Sequence, residues 1–123
     1  MRQLLLSALL LCAAVVSPAA NNLSLNGKWK IQNSIAGNKS QLVCTFIQMN
    51  NDLGGSCATE QGNFNVSGRV DDKKITWSYD SKYHGFSLTV IYSGTLEAVA
   101  KASGNVSIQR FGVTGSFIAV RSE

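Results

Sequence analysis

The sequence predicts an all-β protein: a small eight-stranded antiparallel up-and-down (meander) barrel with one hairpin disulfide, preceded by a cleaved signal peptide. Three observations lead there. From Leu25 onward, apolar and polar residues alternate with a period of two and almost no helical period. Clusters of Asn, Asp, Gly and Ser punctuate the alternation at regular intervals, which divides it into about eight strands. Glycine recurs about once per strand in the apolar rows, at Gly27, Gly55, Gly68, Gly94, Gly104 and Gly115. Glycine inside a strand weakens it, and the tight coiling of a narrow closed sheet is a reason to keep it. A sandwich of the immunoglobulin type would want its two cysteines much farther apart.

The first residues read as a leader. Arg2 supplies a positive start, Leu4 to Val16 is apolar apart from Ser7, and Ser17-Pro18-Ala19 offers small residues for cleavage. Cleavage after Ala19 makes residues 1–19 the signal peptide and 20–123 a single barrel domain. The apolar run is too short for a spanning helix and no second run follows. Leu11 before Cys12 is not the small residue a lipid-anchored precursor carries there. The expected product is exported, periplasmic or extracellular, with no transmembrane segment.

The strands follow in order. Leu25, Gly27, Trp29 and Ile31 alternate with Asn26, Lys28, Lys30 and Gln32. Leu42, Cys44 and Phe46 form the next apolar row; "NNDLGG" turns the chain, and Leu53, Gly55 and Cys57 return. Phe64, Val66, Gly68 and Val70 make a fourth strand, ended by the charged turn "DDKK". Ile75, Trp77 and Tyr79 make a fifth, and "SKYHG" reads as a connection. Phe86, Leu88, Val90 and Tyr92 make a sixth, and Ala102, Gly104, Val106 and Ile108 a seventh. "RFGVTG" turns into the eighth, with Gly115, Phe117, Ala119 and Arg121 in one row. The opposite rows hold Lys, Asn, Ser, Thr and Gln, so they suit water better than lipid, as an outer-membrane barrel would not.

With the leader gone, Cys44 and Cys57 are the remaining cysteines. An even count in an exported chain points to a disulfide. Zinc would need more Cys or His at short spacing, and a redox site a Cys-x-x-Cys. No metal site and no cofactor is expected.

"LNGKWKI" resembles the Gly-x-Trp opening of calycin-type barrels, the lipocalins, fatty-acid-binding proteins and avidin-like proteins. That resemblance implies a first-strand Trp packed near a late basic residue, places that Trp29 and Arg121 fit. The ending Phe117-Ile118-Ala119-Val120-Arg121 resembles a group of small exported bacterial proteins of uncertain function. The polar set that holds biotin in avidin-like proteins is not matched, nor is their late Trp-Lys pair, so the fold carries over and biotin does not. Some exported inhibitors of proteinases and lysozyme share the Gly-x-Trp opening, a disulfide and a small barrel.

Several function classes are disfavoured. The ten basic residues after the leader are scattered, without the stripe of a nucleic-acid binder. His84 is the sole histidine, with no nucleophile elbow in the chain. Asp71 and Asp72 sit in a turn beside two lysines, not across a cleft. No enzyme is therefore expected. The Asn-x-Ser sequons at Asn22, Asn38, Asn65 and Asn105 bear on glycosylation only in a eukaryotic source.

The inward aromatics remain: Trp29, Phe46, Phe64, Trp77, Tyr79, Phe86, Tyr92 and Phe117. They fill a core, or they line a barrel mouth for a small apolar or cyclic ligand. For the second case the candidate ligand-binding residues are Trp29, Trp77, Tyr79 and Tyr92, the tyrosine hydroxyls supplying polar contacts. The alternative function is a protein-interaction module, such as an inhibitor of a secreted proteinase or lysozyme, acting through "SKYHGF" or "RFGVTG".

Overall fold

Alternation becomes pairing in a computed structural model that describes residues 24–122. The proposed leader lies outside the described residues. The strands are β1 (Gly27–Ile35), β2 (Asn38–Met49), β3 (Asp52–Thr59), β4 (Gly62–Asn65), β5 (Ser67–Asp71), β6 (Lys74–Tyr83), β7 (Phe86–Ala98), β8 (Lys101–Ile108) and β9 (Val113–Arg121). All pairings are antiparallel, and one sheet closes on itself: β1 meets β9, and β2 meets β3.

The nine segments make eight barrel strands. Both β4 and β5 pair with β3 in one register, Ser56 facing Asn65 and Leu53 facing Gly68. Only Val66 interrupts the ladder, and its N–H still reaches the Gly55 carbonyl at 3.0 Å. The described residues therefore form an eight-stranded antiparallel barrel without a helix.

Turns are tighter than the sequence suggests. "SKYHG" is mostly strand: β6 runs to Tyr83, which faces Phe86, so His84 and Gly85 alone connect. Both have positive φ, 50° and 81°, which suits the right-handed twist of a two-residue hairpin. Likewise "NNDLGG" shrinks to Asn50 and Asn51, because Met49 already pairs with Asp52. Residue types named the turns correctly but overstated their length, since Ser, Lys and Gly also fit a coiled strand.

Why the barrel is narrow is clearest at Gly94 and Gly104, which face each other across β7 and β8. A Cβ on Gly104 would stand 2.1 Å from the Ser93 carbonyl oxygen and 2.4 Å from the Gly94 Cα. Only glycine permits this approach, and the strands coil through it.

The inward rows fill the barrel. Trp77 stacks on Tyr92 with ring centres 4.7 Å apart and meets Phe46 and Phe117 edge-on at 5.0 and 5.2 Å. Each such ring buries ~150–250 Å², or about 4–6 kcal/mol of transfer free energy at ~25 cal/mol per Å². Cys44 and Cys57 face each other directly and form the disulfide, both fully buried. No helix among the described residues is long and apolar enough to cross a membrane.

One end is sealed. Trp29 faces Arg121 across β1 and β9, and the guanidinium carbon lies 4.6 Å from the indole centre. The Trp29 indole donates to the Leu25 carbonyl at 2.9 Å. Arg121 donates to the carbonyls of Ser24, Asn26 and Val99. Residues 24–26 thus lie across this end, with the Leu25 side chain buried beneath them.

Candidate functional site

The other end is open. The turns at residues 36–37, 60–61, 84–85 and 109–112 ring it. A concavity of about 200 Å³ enters there, bordered by Asn33, Ser40, Thr59, Glu60 and Tyr79 among others. Beside it, a groove of about 640 Å³ runs between the β3–β4 turn and the β6–β7 hairpin, bordered by Phe64 and Leu88. Gln61 borders both spaces. Alone, the concavity is smaller than the ~300–1,000 Å³ of ordinary ligand sites; the groove brings the opening into that range.

Asn33 forms the floor. The inward row of β1 runs Trp29, Ile31, Asn33, so alternation delivers an amide where a core residue would sit. It is 6 % exposed. Its Nδ2 donates to the Tyr92 hydroxyl at 2.9 Å and, at 3.5 Å, to Ser40 Oγ. Its Oδ1 is buried without a partner. A buried acceptor left unmatched costs ~1–3 kcal/mol, so this atom needs a reason.

The tyrosines extend the polar floor. Burial raises the Tyr92 phenol far above its ordinary range; the neighbouring Tyr79 adds to the rise and the hydrogen bond from Asn33 opposes it. Burial likewise raises Tyr79, partly offset by its hydrogen bond with Tyr92. Both are therefore neutral hydrogen-bonding groups at physiological pH, unsuited to act as bases. Tyr79 also stacks on Phe64, ring centres 5.1 Å apart, which gives the opening an aromatic wall.

The sequence-derived candidates are spread along the barrel axis. Tyr79 is half-buried and borders the concavity. Tyr92 is 0 % exposed and joins the site through its hydroxyl bond to Asn33. Trp77, 1 % exposed, is the centre of the ring cluster, and its indole N–H has no partner. Trp29 lies at the sealed end, in contact with Arg121. The first three are brought together; Trp29 and Arg121 are not part of this opening. Asn33 was missed by the sequence reading. The available signal was register: one further step along the Leu25–Ile31 row, two residues on, places it inward.

Chemically, the opening offers a buried amide acceptor, phenol and serine hydroxyls, and an aromatic side wall. His84 and Asp72 lie exposed in different turns. Among the described residues no group of three or more His, Cys, Asp or Glu is placed to hold a metal ion. Comparison with protein-family models, curated proteins and solved structures finds no match.

Proposed function

We propose that this protein is an exported, non-enzymatic binding module of calycin-like build that holds a small cyclic ligand in the open end of its barrel. The observation that carries the reading is the unpartnered Asn33 Oδ1, buried beside the opening. A ligand N–H or O–H donated to that oxygen would remove its desolvation cost. The ring would lie against Tyr79 and Phe64, and an apolar portion would follow the groove past Leu88. Trp77 supports the site from below by fixing Tyr92 in its stack. The leader and the disulfide support export.

Native mass spectrometry of protein purified from its source tests this. The expected result is a retained small molecule that is released on unfolding and is absent from Asn33→Leu. A bare chain, together with no melting-temperature rise across a library of small cyclic compounds, would overturn the proposal.

A further inference from the structure

The inward row of β6 and β7 does not stop at the rim. Tyr79 is the last inward residue of β6 close to a neighbouring wall, because β5 pairs with β6 only as far as Ser78. On the other side β8 pairs with β7 from Val90 onward, with one more bond from Gln109 N–H to the Thr89 carbonyl. Residues 80–88 therefore have ladder partners only within their own hairpin. Alternation nevertheless continues, and it leaves Tyr83 and Phe86 without a core to enter. They are 57 % and 52 % exposed.

The neighbouring turn completes a cluster. Phe111, 45 % exposed, meets Tyr83 edge-on with ring centres 6.1 Å apart. Arg110 lies 5.3 Å from the Phe86 ring centre and donates to the Ser87 carbonyl at 3.4 Å. The two tips, residues 81–87 and 109–114, carry Lys82 and Arg110 and no carboxylate. Asp80 lies behind them, its carboxylate accepting from Thr89 at 2.8 Å.

We infer that these two tips form a single docking surface for an anionic lipid surface. Apolar area disfavours a protein partner. Three half-exposed rings present roughly 300 Å² of apolar surface, short of about 450 Å², the apolar share of a standard ~800 Å² interface side. A lipid interface asks for less: a few aromatic side chains at headgroup level and cations facing the phosphates. The cluster is carried on a hairpin that runs past the ladders of its neighbouring strands, a placement that suits contact with a flat fluid surface. The Arg110 guanidinium and the Lys82 ammonium supply the charge complement. Binding of this kind is weak, reversible and sensitive to salt. Docking sets the barrel opening against the headgroups, but the inference stands whether or not that opening holds a ligand.

The test is co-sedimentation of the chain from residue 20 onward, which holds the whole closed sheet and lacks the lipid-seeking apolar run of residues 4–16. The vesicles are phosphatidylcholine, with and without about one-third phosphatidylglycerol. The chain is expected to sediment with the anionic vesicles at low salt and to be released by high salt. Lys82→Gln and Arg110→Gln should each weaken binding about fivefold, and together about twenty-fivefold. Tyr83→Ser/Phe111→Ser should abolish it while keeping the wild-type melting temperature. Failure to sediment with anionic vesicles, equal binding to neutral ones, or unchanged binding by the variants would overturn the inference. So would capture by polyglutamate in the absence of vesicle binding, which would indicate an acidic polypeptide as the partner.

Discussion

Asn33→Leu separates a structural from a functional amide, because the two roles predict opposite effects on stability. The substitution removes the unpartnered Oδ1, whose burial costs ~1–3 kcal/mol. It also removes the 2.9 Å bond to Tyr92, worth about 1 kcal/mol net. The Tyr79 phenol, its ring centre 6.4 Å from that of Tyr92, is placed to take up the freed Tyr92 hydroxyl. The bond to Ser40 is long and at the mouth, and its loss is small. The balance is a variant of unchanged or greater stability, by up to about 2 kcal/mol. For a domain of this size that is a rise of up to about 9 °C in melting temperature. Differential scanning calorimetry on wild type and variant checks the stability, and native mass spectrometry checks retention of the ligand. A variant that melts 5 °C or more below wild type would refute the reasoning: Asn33 would then be a structural amide whose second partner is a bound water.

Other expectations follow from the same geometry. Cys44→Ala/Cys57→Ala opens a crosslink between residues 13 apart in sequence, worth about 3 kcal/mol on the chain-entropy model, and should lower the melting temperature by roughly 14 °C without abolishing ligand retention. An unchanged melting curve would deny the crosslink its stabilising role. Gly104→Ala drives a Cβ into the Ser93 carbonyl and the Gly94 backbone, and urea titration should show a loss of about 3 kcal/mol or more. Arg121→Gln removes charged donors from three carbonyls and uncovers Trp29; a loss of about 2–3 kcal/mol is expected, with the mouth unaffected. Tyr79 and Tyr92 both have native pKa values raised above the unfolded value near 10, so the native state holds their protons more tightly. Their contribution to stability is complete below pH 10 and is lost as pH rises beyond it. Absorbance at 295 nm should show Tyr92 ionising only with unfolding and Tyr79 ionising above the ordinary range, and a reversible native titration of Tyr92 near pH 10 would contradict its burial.

Much of this architecture is legible along the chain because strand alternation is a local property. The inward rows headed by Trp29, Cys44, Trp77, Tyr92 and Phe117 emerge with the correct face, since a period of two permits only two answers. Turn lengths were less legible. His84 and Gly85 close a hairpin in two residues because both adopt positive φ, which composition allows but does not dictate. Asn33 was hidden for a related reason: a polar residue in an apolar row looks like the end of a strand until its neighbours are known.

By itself the sequence determined the all-β class, the two faces of each strand and the cysteine pair, all of which follow from residues within one hairpin. Only the tertiary structure decided which end of the barrel opens. That choice rests on long-range partners: Arg121 reaches back to the Ser24 carbonyl, 97 positions away, and Tyr92 meets Asn33 across 59. Such contacts are set by the closure of the whole sheet. The closure placed one aromatic residue, Trp29, under a seal, another, Trp77, in the core, and a third, Tyr79, at a mouth, although the three occupy equivalent places in the alternating pattern.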